Sequence, residues 1–243
     1  MNAIITRRGL ISAAALSVLP GARTALREVD LKLVLALDVS ASVNEERWLI
    51  QRTGHAAAFA DPRVQQAILG GSIGAIAATA VLWSSTTFQA QVIPWTVLWN
   101  QAAINAFSSS LGAMDRRFNA GTGLGAAIQF CGGLIQEAPF TSIRSVIDVA
   151  GDGYDSDPIS RDGAFIPLTA VRDQVVAQGV TINALALLGA TDGAAHPPFT
   201  NVAEVYEAEL IGGPGHFLVV VENPDRFDLF LECLVKKLRM EIA

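Results

Sequence analysis

The sequence predicts an α/β fold: a doubly wound, mostly parallel sheet with helices on both faces and one antiparallel strand at an edge. Three observations carry that expectation. Five short runs are apolar at nearly every position, which marks strands buried on both faces. Between them lie stretches with helical spacing, as parallel strands need for their crossovers. One pair of runs is joined by "SSTT" alone, too short for a crossover, so those two strands should pair antiparallel.

Taken in order, the first strand is "LKLVLALD" over 31–38. A helix follows over 45–60, and "SVNE" sets Ser42 three residues ahead of Glu45, the pattern of a capping box. "GAIAATAVLW" (74–83) is the second strand and "FQAQVIPWTV" (88–97) its antiparallel neighbour. Helices are expected over 100–113 and 123–137, the second of them opened by a glycine-rich loop. "RSVIDVA" (144–150) and "VTINALALL" (180–188) supply two further strands, with a helix over 168–178 between them. A helix over 202–211, the strand "HFLVVV" (216–221) and a helix over 226–242 complete the pattern. With no internal repeat and no break in composition, residues 29–243 read as one domain.

The chain has 243 residues, and 51% apolar content supports a substantial core. Its formal charge is −6, and its basic residues are scattered, so the electrostatic footprint of a nucleic-acid binder is missing. Residues 1–25, "MNAIITRRGLISAAALSVLPGARTA", combine two arginines, an apolar run and small residues, which is a secretory signal pattern. "TRRGLI" also resembles a twin-arginine export signal. Removing that segment takes away Arg7, Arg8 and Arg23, leaving 14 basic against 23 acidic residues, a charge of −9. No later run reaches the roughly 20 apolar residues of a membrane helix. The expectation is an exported protein, periplasmic or extracellular, with no membrane span in its mature chain. Cys131 and Cys233 allow one disulfide in an oxidising compartment or two buried thiols.

In open α/β sheets, ligands bind outside the carboxyl ends of the strands. The first strand ends in Asp38-Val39-Ser40-Ala41-Ser42, the strand over 144–150 runs into "GDG" with Asp152, and Thr122 sits in the glycine-rich loop. Asp38, Ser40, Ser42, Thr122 and Asp152 are all hard oxygen ligands, a set suited to magnesium, manganese or calcium more than to zinc or copper.

Those residues resemble the von Willebrand factor type A domain, whose metal-ion-dependent adhesion site combines Asp-x-Ser-x-Ser with a Thr and an Asp from two later loops. Asp38, Ser40 and Ser42 match the first loop, Thr122 the second and Asp152 the third, where "GDG" replaces the usual Thr-Asp-Gly. "ALDVSASV", "IDVAGDG", "VTINALAL" and "IGGPG" look like a bacterial exported family of this type. The resemblance implies a non-enzymatic, adhesion-type module. Magnesium is the expected divalent cation, manganese and calcium the alternatives, and the partner is a protein offering an Asp or Glu carboxylate as the remaining ligand. A metal-dependent hydrolase and a structural domain with a vestigial site are the competing readings; the first is disfavoured because the only general base accompanying the ligands is an aspartate of the same set.

Other motifs read more plainly. "GTGLGA" (121–126) has the spacing of a dinucleotide fingerprint but follows no strand. Asp155 and Asp157 in "DGYDSDP" lack the glycine and distal glutamate of a calcium loop and read as solvated turn residues, with support of the site's own ligands as the alternative. His55, His196 and His216 fall in separate segments with no nucleophile elbow, and Trp83, Trp95 and Trp99 read as packing around the antiparallel pair. Asp148 and Asn183 are oddly polar for doubly covered strands. Aligned by their carboxyl ends, the two strands put these residues at one height, which predicts a buried polar pair, bonded directly or through a shared water, beneath the Asp152 loop.

Overall fold

The computed structural model describes residues 27–116, 121–189 and 198–243. The segment read as a leader and His196 lie outside the described residues. A six-stranded sheet, in the order β3-β2-β1-β4-β7-β8, forms the centre. Its strands are β1 (Arg27–Asp38), β2 (Ile76–Trp83), β3 (Gln89–Leu98), β4 (Phe140–Gly151), β7 (Thr181–Leu187) and β8 (Leu218–Val221). The short strands β5 (Ser160–Arg161) and β6 (Ala164–Phe165) make a separate hairpin. Within the six-stranded sheet all pairs are parallel except β2 with β3. That antiparallel edge is where the four-residue link required it.

The central position of β1 follows from its sequence. From Leu33 to Asp38 every residue is buried, and successive side chains feed opposite cores. Leu33, Leu35 and Leu37 join one core, while Val34 and Ala36 join the other. The first core is covered by α1 (Glu45–Ala60), α2 (Pro62–Leu69), α3 (Gln101–Gly112) and α7 (Phe227–Ile242). The second is covered by α4 (Leu124–Glu137), α5 (Leu168–Ala177) and α6 (Val202–Val205), which passes into a π-turn over Tyr206–Leu210. No helix among the described residues is long and apolar enough to cross a membrane.

Several local expectations need correction. Helix α1 is capped by Asn44, whose side chain accepts from the Arg47 amide at 2.9 Å, so Ser42 is not the cap. Helix α2 was absent from the sequence reading; Asp61 caps it and Pro62 opens it, both ordinary start signals. The irregular register between Ala78 and Val81 leaves the Ile93 carbonyl to the Thr79 hydroxyl, 2.6 Å away. Cys131 is buried, Cys233 is partly buried, and both are free thiols in the two different cores. Trp83 is fully buried and Trp95 stacks edge-on against Phe140, but Trp99 is exposed and does not join them.

Asp148 and Asn183 do lie side by side on neighbouring strands, facing α7. They do not bond to each other. Asn183 donates to Glu241 at 3.1 Å and accepts from the Phe217 amide, while Asp148 pairs with Lys237. Lys237 also contacts Glu241, its neighbour one turn along α7. The charge partner of Asp148 comes not from the neighbouring strand but from a helix laid over the sheet.

Candidate metal centre

The ends of β1 and β4 lie next to each other, because Leu37 pairs with Ala150 in parallel register. The chain leaving each strand therefore brings Asp38 and Asp152 to one edge. Asp38 turns back to accept from the Ser40 amide at 2.7 Å, which fixes the tight exit from β1. The Ser40 and Ser42 hydroxyls are 3.0 Å apart, and Ser42 donates to Asp152 Oδ1 at 2.6 Å. Four of the five residues singled out from the sequence thus form one hydrogen-bonded cluster.

Thr122 comes to the same edge on a different loop. A Cβ built on Gly153 would lie 3.2 Å from the Thr122 hydroxyl oxygen, so Thr122 stands against the residue that follows Asp152. Its loop is held at several points. Gly123 donates to the Ser84 carbonyl at 2.6 Å, and the Asp157 amide donates to the Thr122 carbonyl at 2.9 Å. Asp157 in turn accepts from the Thr86 amide and hydroxyl at 2.7 and 2.6 Å. Asp155 accepts from the amides of Gly125 and Leu124 at the start of α4, and burial pushes its carboxyl up to about 6. These two aspartates are clamps on the Thr122 loop, the supporting role that the sequence left open beside that of solvated turn residues.

The close packing of that loop gives a direct expectation. A Cβ at Gly123 would fall 2.7 Å from the Thr86 nitrogen and 2.9 Å from the Ser85 carbonyl carbon, both backbone atoms that cannot rotate away. Gly123→Ala should therefore cost about 1–3 kcal/mol by overpacking, read as a lower urea midpoint at unchanged slope. An unchanged midpoint would show that the two loops part easily.

Charge at the site is concentrated and dry. Asp38 and Asp152 are both fully buried. Burial first, and the neighbouring Asp152 charge second, push the Asp38 carboxyl up to about 7. Burial also raises Asp152, against the lowering effect of Ser42 and Arg47. Asp38 Oδ2 has no hydrogen-bond partner, an uncommon state for a buried carboxylate oxygen. Two buried carboxylates, three hydroxyls and one unpartnered oxygen fit a hard divalent cation in donor chemistry.

Sequence reasoning missed three contributors. Arg47, on the first turn of α1, places Nη1 3.2 Å from Asp152 Oδ2 and Nε 2.9 Å from Asp225 Oδ1. Arg116 donates to the Ser40 carbonyl and to Glu45, both at 3.0 Å, bracing the loop after β1. The Tyr206 hydroxyl is buried beside Gly151, where a Cβ would lie 2.6 Å from it and 3.1 Å from Asp38 Oδ2. No spacing rule links these residues to Asp38 or Asp152; only the fold does.

Residues 28–243 match a family described as "Protein of unknown function (DUF1194)". The chain belongs to that family. No curated protein matches it. Solved structures share its fold at low identity. The pilus adhesin SpaC from Lactobacillus rhamnosus GG is 13% identical with a TM-score of 0.58, over 87% of this chain and 31% of the adhesin. Proximal thread matrix protein 1 from the mussel byssus, in a structure described as having a zinc-occupied MIDAS motif, is 15% identical with a TM-score of 0.57. That similarity covers 87% of this chain and 48% of the matrix protein. The conserved hypothetical protein BatB from Bacteroides thetaiotaomicron is 12% identical with a TM-score of 0.51, over 85% and 98%. The family member described here therefore spans about a third of the adhesin and half of the matrix protein. Its fold is von Willebrand factor A-like, as the ordered Asp38, Ser40, Ser42, Thr122 and Asp152 motif had implied.

Proposed function

We propose that this chain is an exported, non-enzymatic protein-binding module whose centre holds a divalent cation on Asp38, Ser40, Ser42, Thr122 and Asp152. The observation that carries the reading is the hydrogen-bonded Asp38–Ser40–Ser42–Asp152 cluster, with Asp38, Ser40 and Asp152 buried, Ser42 half-buried and Asp38 Oδ2 left without a partner. The cation would supply an electrophilic point able to accept an Asp or Glu carboxylate from a partner protein. The chain's own residues do the rest. The two aspartates supply charge, the three hydroxyls supply neutral oxygens, and Asp155 and Asp157 fix the loop that carries Thr122. With only hard oxygen donors in the set, magnesium is the expected occupant, with manganese and calcium as alternatives. The zinc in the mussel protein's motif makes zinc the competitor to test.

The pilus adhesin and the byssal matrix protein, which share the fold, support a binding role over a catalytic one. In this reading residues 1–25 are the leader and 29–243 the binding module. The experiment is affinity capture from an exported fraction with magnesium present and again with chelator. Partners retained only with magnesium, and lost when Asp or Glu side chains of the partner are replaced, support the reading. An identical partner set in both conditions contradicts it.

A further inference from the structure

Arg47 does not belong to the ligand set, yet its guanidinium bonds directly to a carboxylate of that set. Its guanidinium lies between two carboxylates of different character. Asp152 is fully buried, whereas the Asp225 side chain is 55% exposed. Both oxygens of Asp152 are engaged, Oδ1 by the Ser42 hydroxyl and Oδ2 by Arg47 Nη1. Only 10% of the Arg47 side chain is exposed, so its charge acts in a medium where screening by water is weak.

We infer that Arg47 is a positioning residue that competes with the divalent cation for Asp152 and that Asp225 draws it aside, so that the Asp225–Arg47–Asp152 relay sets the cation affinity of the centre. The inference rests on the metal-centre reading. A guanidinium keeps its charge at every physiological pH, so a dication approaching Asp152 always meets a fixed positive group at Oδ2. The same guanidinium offsets the cost of keeping Asp152 ionised and buried before a cation arrives. The two roles oppose each other in affinity and agree in stability. Asp225 shifts the balance: its contact with Nε is the shorter of the two, at 2.9 Å against 3.2 Å. It lies between β8 and α7, outside the ligand loops, so it can pull on Arg47 without touching the other donors.

A purely structural brace would behave differently, since removing it would loosen Asp152 and weaken cation binding. The experiment is titration calorimetry of the full chain with magnesium and with manganese, for wild type, Arg47→Met and Asp225→Asn, each checked by thermal melting. Methionine keeps the apolar stem and removes the charge. Arg47→Met is expected to bind manganese on the order of tenfold more tightly than wild type, although it melts lower without metal. Asp225→Asn, which leaves Arg47 to Asp152 alone, is expected to bind several-fold more weakly. Unchanged or weaker binding by a folded Arg47→Met, with wild type binding normally, would overturn the relay and leave the metal centre standing. Should Arg47→Met not fold, Asp225→Asn decides: weaker binding supports the relay and unchanged binding overturns it. If neither wild type nor Arg47→Met binds a cation, the metal-centre reading falls and the relay with it.

Discussion

Replacing Lys237 by methionine is expected to cost the fold about 3–5 kcal/mol, the usual penalty for stranding buried charge. Lys237 and its neighbours Asp148 and Glu241 are almost wholly excluded from water, and both carboxylates depend on this one ammonium. Asn183 supplies a further donor to Glu241 but cannot neutralise it. The cost should depend on pH with a definite sign. Burial first and the Asp148 charge second raise Glu241 to about 8, with Lys237 and Asn183 pulling the other way. A carboxylate whose folded value lies above its unfolded value contributes its stability at low pH and loses it as pH rises through the folded value. Removing Lys237 strengthens that trend, so Lys237→Met should be more destabilised at pH 9 than at pH 6. Urea melts at the two pH values would show it. A loss below about 1 kcal/mol at both would mean that the cluster stays hydrated in solution.

Asp38→Ala should abolish metal binding while leaving the sheet assembled. The substitution removes one of two buried carboxylates from the centre, and with it the unpartnered Oδ2. It also relieves the charge repulsion that, after burial, lifts Asp38 to about 7. Loss of the acceptor for the Ser40 amide offsets that relief, so the metal-free variant should stay folded and melt close to wild type, and the wild type alone should gain stability on adding cation, by about 2.7 kcal/mol at a hundredfold excess over the dissociation constant. Thermal melts with and without manganese separate the cases. A variant that fails to fold would make Asp38 a structural residue of the β1 exit, held there for its bond to the Ser40 amide.

Much of this architecture was legible because burial on both faces leaves a strong pattern. Strands β1, β2, β4 and β7 carry stretches that are apolar at nearly every buried position, and the antiparallel edge was forced by a link too short for a helix. Legibility faded where burial did. The starts of β1 and β4, at Arg27 and Phe140, are partly exposed and mix polar with apolar residues, so their first residues read as loop. Helix α2 spans only two turns and shows its apolar side through Val64 and Ile68 alone. At the candidate centre, the five oxygen donors were visible because they follow a fixed order along the chain. Arg47 and Tyr206 were not, because their roles come from packing between loops distant in sequence, and for Asp155 and Asp157 the same packing decided between a solvated turn and a clamp. Asp148 shows the boundary clearly: its need for a partner was readable, but the partner, Lys237 on α7, depended on how a helix lies over the sheet.

The central claim is that Asp38, Ser40, Ser42, Thr122 and Asp152 together hold a divalent cation. Anomalous diffraction from crystals of the full chain grown with manganese tests it most directly. One strong anomalous peak is expected, bounded by the side-chain oxygens of those five residues and absent from crystals of Asp38→Ala. Ordered loops at this edge with no peak among them, or a peak held by other residues, would contradict it.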